Sequence, residues 1–263
     1  MLIDTHCHLN FKAFTEDRDE VVKRAKRAGI SFMIIPGADP QTSKKAIEVA
    51  EKFKDCFAAV GIHPHHTNKI LDFDQAVVDL QNLAQRSKKV IAIGETGLDY
   101  YQYKGEPAIS RKDNQQELFK KQVELSLKLN LPLILHCRQA FDDFFDLLSS
   151  YFDQPTRIKG VLHCFSGGLA HLRQAIKWRL FLGFDGNISY DKRIQGLVLE
   201  TPLDRLLLET DSPLLTPEPF RGQRNEPKNV KIVGRWVAKI KGITFPEVME
   251  VTTRNSKSLF NLC

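Results

Sequence analysis

The sequence is poor in cysteine, and its cysteines are not spaced for pairing. The five are Cys7, Cys56, Cys137, Cys164 and Cys263, with no C-x-x-C pair among them. An odd number without such a pair argues against a disulfide framework and against a structural zinc ribbon. Because strand side chains alternate between faces, Cys7, Cys137 and Cys164 should point away from the histidines beside them. We interpret these three as small buried hydrophobic residues under a helix layer.

Long apolar runs are missing as well. No stretch approaches the roughly 18 uninterrupted apolar residues that a membrane span needs. The N-terminus carries Asp4, His6 and His8 where a secretory signal would have a basic and then an apolar segment. We therefore expect no membrane partner and a cytoplasmic location.

Blocks of like charge are also absent, and no run of Lys and Arg is long enough for a nucleic-acid-binding tail. The formal net charge of +6 favours an anionic partner such as nucleic acid, and it fits a solvated basic surface equally well. No sequence feature implies a protein partner.

The chain shows no Gly/Ser linker, internal repeat or low-complexity tract that would divide it. Its 263 residues are close to the roughly 250 that are typical of one (β/α)8 barrel, although the length alone would also fit two smaller domains. We predict a single domain over residues 1–263.

Apolar runs of β type alternate with helical stretches along the whole chain. Strand, helix, strand throughout predicts an α/β fold with a parallel sheet. The eight runs lie near residues 2–8, 31–36, 57–62, 90–95, 133–136, 160–163, 180–184 and 206–209.

Six residues of metal-ligand type stand at the ends of these runs. They are His6, His8, Glu95, His136, His163 and Asp211. They come from the first, fourth, fifth, sixth and eighth runs, whereas an open doubly wound sheet would gather its ligand between two strands. In a closed barrel all carboxyl ends converge on one face. The pattern therefore predicts a (β/α)8 TIM barrel that is a candidate metal-dependent enzyme.

Four imidazoles and two carboxylates exceed the three protein ligands of a usual catalytic zinc site. They suit two ions about 3.5–4 Å apart, with Zn²⁺, Mg²⁺ and Mn²⁺ all compatible with the mixed ligand set. We assign one ion to His6, His8, Glu95 and Asp211, and the other to Glu95, His136 and His163, so that Glu95 bridges the pair.

Two further carboxylates, Asp4 and Glu209, lie two residues before His6 and Asp211. They either orient the ligand imidazoles as hydrogen-bond acceptors or are satisfied by backbone groups.

The ordered set of motifs resembles the TatD family of metal-dependent deoxyribonucleases, within the amidohydrolase-like barrels, over nearly the whole chain. The motifs are Ile3-Asp4-Thr5-His6-Cys7-His8, Gly61-Ile62-His63-Pro64-His65, Ala92-Ile93-Gly94-Glu95-Thr96-Gly97-Leu98-Asp99, Leu135-His136-Cys137-Arg138, Leu162-His163-Cys164-Phe165-Ser166-Gly167, Leu208-Glu209-Thr210-Asp211-Ser212-Pro213 and Arg224-Asn225-Glu226-Pro227. The resemblance implies a TIM barrel of the metallo-dependent hydrolase type, a hydrolase with two divalent ions that cuts phosphodiesters in DNA, often from the 3′ end. Glu95 stands where related amidohydrolases often carry a modified lysine, which favours the TatD-like branch.

Three residues are predicted to be catalytic: Glu95, Asp211 and His63. Two cations lower the pKa of a bound water and neutralise charge on a phosphoryl oxygen. Asp211 would accept the proton from that water and pass it to the leaving oxygen. His63 would orient or protonate the departing group, or else His63 and His65 only shape the turn at Pro64.

The predicted substrate contacts are His65, Arg138, Arg221 and Tyr100. The Arg138 guanidinium suits a phosphate, or it pairs with a surface carboxylate.

Two long loops on the same face are predicted to contact the substrate. Residues 99–112 bring Tyr100, Tyr101, Tyr103 and Lys104, which either hold single-stranded bases and their backbone or pack the loop. Residues 212–227 bring Arg221 and Arg224 toward phosphates.

We expect a metal-dependent nuclease of the 3′–5′ exonuclease type, with single-stranded DNA or 3′ ends as its substrate. Hydrolysis of a lactone, an amide or a small phosphodiester on the same scaffold is the alternative. A third hypothesis is that the protein is a metal-binding scaffold without catalytic turnover. The sequence leaves open the metal, DNA against RNA, and exonuclease against endonuclease action.

Overall fold

Eight parallel strands follow one another in chain order around a single sheet in the computed structural model, which describes residues 1–102, 111–152 and 158–263. The strands are β1 (Leu2–Asp4), β2 (Ile30–Pro36), β3 (Cys56–Val60), β4 (Val90–Asp99), β5 (Leu133–Arg138), β6 (Gly160–Leu162), β7 (Phe181–Phe184) and β8 (Leu206–Leu208). The helices found in the described ranges are α1 (Arg18–Arg27), α2 (Pro40–Lys52), α3 (Phe73–Arg86), α4 (Lys112–Leu129), α5 (Phe141–Phe152), α6 (Leu169–Lys177), α7 (Lys192–Glu200), α8 (Val230–Lys241) and α9 (Phe245–Phe260).

The ring closes between the segments that follow β8 and β1. The Thr5 amide donates to the Leu208 carbonyl at 3.1 Å, and the Asp211 amide donates to the His6 carbonyl at 2.9 Å. The His8 amide adds a third bond, to the Ser212 carbonyl at 2.7 Å. These bonds join the first and last segments, so the predicted (β/α)8 barrel is confirmed.

Two layers of apolar packing support the barrel. The larger cluster joins outward-facing strand residues to the helices. The second takes one buried residue from every strand, and residues from so many strands can meet only inside the ring. Its members are Ile3, Ile34, Ala59, Ala92, Ile134, Val161, Phe181 and Leu207, together with Leu259, Phe260 and Leu262 from the end of the chain.

Local sequence signals fix where α2 begins. The Asp39 side chain accepts a bond from the Thr42 amide at 2.7 Å, and the Thr42 hydroxyl accepts one from the Asp39 amide at 2.9 Å. Pro40 occupies the first helical position, where its missing N–H costs nothing. This reciprocal capping box sets the direction in which the chain leaves β2 at the barrel mouth.

Across residues 1–102, 111–152 and 158–263, no helix combines the length and apolar character required to cross a membrane.

Candidate metal centre

The Glu95 carboxylate lies at the middle of the barrel mouth and is 4% exposed. Its Oε1 atom is 2.9 Å from His136 Nδ1 and 3.0 Å from His163 Nε2. Its Oε2 atom is 3.4 Å from His6 Nε2 and 3.9 Å from His8 Nε2. The two oxygens therefore face two different groups of imidazoles.

The group at Oε2 also includes Asp211. Its Oδ1 atom is 3.3 Å from His8 Nε2 and 3.7 Å from His6 Nε2, and the two imidazole nitrogens are 3.2 Å apart. Ligand atoms around one tetrahedral ion lie roughly 3.3–3.5 Å apart when the bonds are about 2.0–2.2 Å long. The residues present thus fit a divalent cation both in spacing and in donor chemistry.

The group at Oε1 consists of His136 and His163, whose Nδ1 and Nε2 atoms are 3.4 Å apart. His63 adjoins it, with Nε2 3.5 Å from Glu95 Oε1. The structure therefore brings all six residues of the predicted ligand set into one cluster, in which His6, His8 and Asp211 form one group of possible ligands and His63, Glu95 and His136 form another. His163 lies against both, since its ring also stacks on His6 at 3.9 Å between centroids, and the predicted division into two ion sites stays a prediction. That they hold metal stays a prediction.

Neighbouring histidines keep the Glu95 carboxylate charged. Burial alone would raise the pKa of Glu95, but His163, His63 and His136 hold that pKa well below its usual range. Burial would lower the pKa of His163, and Glu95 and Glu209 raise it well above its usual value instead. A charged Glu95 presents one anionic oxygen to each of the two groups of imidazoles, which suits the predicted pair of cations.

Sequence reasoning missed Asp99 as a partner of the site. Its Oδ2 atom is 2.7 Å from His65 Nε2 and 3.1 Å from His136 Nε2, the ring nitrogen that faces away from Glu95. Burial would raise the pKa of Asp99, but the bonds with His136 and His65 lower it overall. Asp99 therefore orients the His136 ring as an anionic acceptor. The sequence did offer a signal for Asp99, because Glu95, Gly97 and Asp99 are spaced two residues apart and so share one face of a strand.

The end of β4 approaches β5 very closely. A Cβ on Gly97, which has φ +148°, would lie 1.8 Å from the His136 carbonyl oxygen. Only glycine allows the two strands to run together here. β4 consequently continues to Asp99, four residues beyond the predicted end at Glu95.

The two deeper carboxylates have different partners. Glu209 accepts a hydrogen bond from the Cys164 amide at 2.5 Å and lies 3.4 Å from His163 Nδ1, so it faces the imidazole of a predicted ligand. Asp4 accepts from the Thr210 hydroxyl at 2.7 Å, the Thr210 amide at 3.0 Å and the His6 amide at 3.3 Å. For Asp4 the structure therefore shows the alternative, satisfaction largely by backbone groups.

His63 shapes the turn at Pro64 and also faces the site, while its action on a departing group stays a prediction. Its Nδ1 atom accepts the His65 amide at 3.2 Å and so shapes the turn at Pro64. That bond places the proton of a neutral ring on Nε2, the atom near Glu95. Burial and the neighbouring His136 lower the pKa of His63 well below its usual value, so the ring is a neutral donor facing the site.

The cysteine interpretation holds for two of three residues. Cys7 and Cys137 are buried in the outer apolar cluster. For Cys164 it was wrong, because this residue has φ +46° and its thiol lines the mouth, 3.8 Å from Asn187 Nδ2. A left-handed residue directly after His163 breaks the strand alternation on which the interpretation depended.

The segment after β7 was also missed. Asp185 is fully buried beside the site, and burial together with Glu209 raises its pKa to about 7. Asn187 lines the same mouth. Asp185 directly follows the apolar run 180–184, so its position at a strand end was an available signal. Asn187 gave no such signal, and only the closed ring, which places β7 beside β6 and β8, brings it to the mouth.

Of the predicted substrate contacts, His65 and Arg138 line the mouth, a cavity of about 650 Å3. His65 pairs with Asp99, and the Arg138 guanidinium stacks on Tyr101 at 3.6 Å from the ring centroid. Tyr100 instead packs on the outer apolar cluster, with its hydroxyl donating to Asp143 at 2.8 Å. Their contacts with a substrate stay predictions.

The arginines of the second loop differ from each other. Arg221 is exposed, and its guanidinium lies 4.2 Å from the Tyr190 ring centroid. Arg224 donates to Asp17 at 2.7 Å and 2.8 Å and so ties the loop to the start of α1. The predicted residues Tyr103 and Lys104 lie outside the described residues.

Comparison with known proteins decides the family. The sequence model of the TatD-related DNases matches residues 3–261. This chain belongs to the TatD family. The TatD resemblance of the motifs is therefore confirmed, and with it a hydrolytic enzyme acting on phosphodiester bonds.

TatD relatives match along their full length. The uncharacterized metal-dependent hydrolase YabD of Bacillus subtilis is 39% identical over 266 aligned positions, covering 100% of both chains. A 3′-5′ ssDNA/RNA exonuclease TatD of Erwinia amylovora is 36% identical over 269 positions, covering 99% of this chain and 100% of that one. The crystal structure of YjjV, a TatD homologue from Escherichia coli, has a TM-score of 0.90 at 30% identity, covering 100% of this chain and 98% of that one.

Proposed function

We propose that this TatD-family chain is a metal-dependent exonuclease that removes nucleotides from the 3′ end of single-stranded nucleic acid. The observation that carries the proposal is the Glu95 carboxylate, whose two oxygens face two separate ligand groups. The exonuclease name of full-length relatives supports the substrate class. We do not commit to one metal, because Zn²⁺, Mg²⁺ and Mn²⁺ all suit mixed imidazole and carboxylate ligands.

Two ions are proposed. One would be held by His6, His8, Asp211 and Glu95 Oε2, and the other by His136, His163 and Glu95 Oε1. Bound divalent ions supply Lewis acidity, which acidifies water and neutralises negative charge on a phosphoryl oxygen.

The protein's own groups would then move the proton. Asp211 takes it from the water whose oxygen attacks the last phosphorus of the strand, and passes it to the leaving O3′. The new bond joins water oxygen to phosphorus, and the bond from phosphorus to O3′ breaks. The products are a nucleoside 5′-monophosphate and a strand one nucleotide shorter with a 3′ hydroxyl.

His63 would assist without changing its charge. Because its ring is neutral with the proton on Nε2, it can donate a hydrogen bond to an oxygen of the reacting phosphate. Arg138 at the rim would hold the next phosphate.

The test is metal-dependent degradation of labelled strands. Protein stripped with a chelator is incubated with 5′-labelled single-stranded DNA, blunt duplex DNA or single-stranded RNA, after addition of Zn²⁺, Mg²⁺ or Mn²⁺. We expect products that shorten one nucleotide at a time from the 3′ end of single strands. The Glu95→Gln variant, which keeps the shape and loses the charge, should be inactive.

Internal cuts would contradict exonuclease action. Hydrolysis of lactones or amides with no degradation of any nucleic acid would replace the nuclease proposal with the alternative chemistry on the same scaffold.

A further inference from the structure

A groove of about 790 Å3 opens beside the barrel mouth. Arg138 and Ser166 line both the mouth and the groove, so the two cavities are continuous. The far wall is formed by α6 and α7, through Leu169, Gly196 and Leu199. The proposed reaction does not use these helices.

The groove wall is unusually apolar for an exposed surface. Leu169 is 47% exposed and Leu199 is 56% exposed, and both line this one groove. Phe141 also lines it, with its ring stacked on His171 at 5.0 Å between centroids. Exposed apolar and aromatic groups gathered beside an active site mark a ligand surface.

Positive charge lies at the end of the groove nearest the mouth. The Arg138 guanidinium stacks on the Tyr101 ring, and both residues line the groove. Arg193 is exposed and is fixed by a bond from Nη1 to the Ser166 carbonyl at 2.8 Å. Glu200 lines the groove as well and disfavours phosphate near it. Phosphates would therefore sit by the arginines and apolar groups by the leucines.

We propose that this groove, lined by Tyr101, Arg138, Phe141, Leu169, Arg193 and Leu199, binds the nucleotides that precede the 3′-terminal one. The inference rests on the proposed function. The bases lie against the apolar wall and the backbone passes the two arginines. Base contacts of this kind tolerate any sequence, and they need bases that are not paired. The groove therefore selects single strands, and it makes the binding of a substrate depend on how many nucleotides precede the 3′-terminal one.

Gly196 offers a way to fill the groove without disturbing the fold. It lies inside α7, it is exposed, and a Cβ at this position would have no atom within 4 Å. A large side chain there projects into the groove and not into protein. Gly196→Ala is the matched control, because alanine favours the helix and adds only a methyl group.

The experiment compares two substrates. One is a ten-residue oligothymidylate, and the other is the methyl ester of thymidine 5′-monophosphate, which has only a methyl group beyond the scissile bond. For Gly196→Trp we expect KM for the oligonucleotide to rise about tenfold or more, with KM for the methyl ester unchanged. Gly196→Ala should leave both values as in the wild type.

A second pair of variants removes apolar surface instead of adding bulk. Leu169→Ala combined with Leu199→Ala should raise KM for the oligonucleotide several-fold. Val78→Ala, at a position on α3 that is 49% exposed, is the control and should change nothing.

Binding measured in the Glu95→Gln background separates this inference from the proposed function. If the wild type hydrolyses neither substrate but Gly196→Trp still weakens binding of the labelled oligonucleotide, the groove assignment stands and the nuclease proposal fails. Equal effects of Gly196→Trp on both substrates, or none on either, would overturn the groove assignment. The groove assignment would also fail if the wild type were a dimer and Gly196→Trp a monomer, because a second copy of the chain would then cover the groove.

Discussion

Asp99 illustrates how a residue that the sequence did not single out controls one that it did. It holds the Nε2 edge of His136 and leaves Nδ1 directed at Glu95. An acceptor of this kind fixes both the ring orientation and the position of its proton. The orientation of the His136 nitrogen that faces Glu95 therefore depends on a carboxylate at the end of β4.

Replacing Asp99 with Asn should weaken metal affinity or activity by about 10–100-fold, because the amide is a poorer acceptor for the His136 N–H. Metal titration of stripped protein and turnover of single-stranded DNA measure the effect. Asp142→Asn, at a surface Asp–His pair with Asp142 92% exposed, is the control. Unchanged metal affinity and turnover in Asp99→Asn would remove Asp99 from this role.

Replacing Asp211 with Asn should reduce kcat by about 10²–10⁴-fold if its carboxylate carries the proton. The protein should still fold, since asparagine has the same shape and also tolerates the left-handed φ of +52° found at Asp211. Circular dichroism checks the fold and single-turnover kinetics check the rate. Asp204→Asn, on an exposed turn, should behave as the wild type. Near-normal kcat in Asp211→Asn would exclude it as the base.

Individual residues were predictable where strand period and position decide the outcome. The six predicted residues converge because each stands in the carboxyl-terminal half of a parallel strand or just after it, on the face where all eight strands end. They are His6, His8, Glu95, His136, His163 and Asp211. Arg224 was not predictable, since its partner Asp17 is 207 positions away in the chain. A long arginine side chain is directed by tertiary neighbours that spacing does not reveal.

The buried side-chain amide of Asn225 joins several parts of the loop between β8 and α8. Asn225 Nδ2 donates to the Thr210 carbonyl at 2.9 Å and to the Leu214 carbonyl at 2.7 Å. Its Oδ1 atom accepts from the Glu226 amide at 2.9 Å and from Asn229 Nδ2 at 2.8 Å. One side chain thus satisfies four groups and fixes the backbone just after Asp211.

Asn225→Ala should lower the free energy of unfolding by about 2–4 kcal/mol, because it leaves buried carbonyls without donors. Urea denaturation measures the change, and Asn82→Ala, an exposed position on α3, should be nearly neutral. A loss below about 0.5 kcal/mol would show that water replaces the amide.

At the level of elements, helix starts and strand order were predictable, and strand ends were less so. Asp39 and Pro40 mark the start of α2, because an N-cap aspartate followed by proline at the first helical position is a signal carried by neighbouring residues alone. The continuation of β4 beyond Glu95 depends on the contact of Gly97 with β5, which is a property of the pair of strands. The direction in which the Cys164 thiol points depends in the same way on the left-handed backbone conformation of this residue after β6.

At the scale of the whole molecule, the barrel has its own apolar interior, so we expect it to fold without bound metal. Chelation should therefore abolish hydrolysis and lower Tm without unfolding the protein at room temperature. The stabilisation by metal follows mass action and is about 2.7 kcal/mol per site at a hundredfold excess over Kd. Thermal melts with and without added ion measure it. Complete unfolding on chelation would show that the ions are structural.

The net charge of +6 should make substrate binding sensitive to salt. If Arg221 contacts a phosphate, Arg221→Ala should reduce the slope of log affinity against log salt by about 0.7, with metal content unchanged. Fluorescence anisotropy of labelled single-stranded DNA gives the slope. Arg254→Ala, at an exposed position on α9, should keep the wild-type value, and an equal change in both variants would indicate a general charge effect.

Closure into a ring was predictable because the proposed ligands came from strands all around it. The side grooves were not, because their walls are built from helices and loops whose relative placement the sequence pattern leaves open. In the sequence, nothing distinguishes Leu199 from other apolar helix residues. Only the fold, which places α7 beside Ser166, shows that Leu199 lines the groove.

The residues at the end of α9 have a consequence for biosynthesis. Leu259, Phe260 and Leu262 complete the set that seals the ring interior, together with Ile3 from the first strand. While the protein is being translated, Ile3 emerges from the ribosome long before its last packing partners exist. Until α9 has been synthesised, the apolar residues inside the ring lack part of their packing, and such transiently exposed apolar surface favours aggregation.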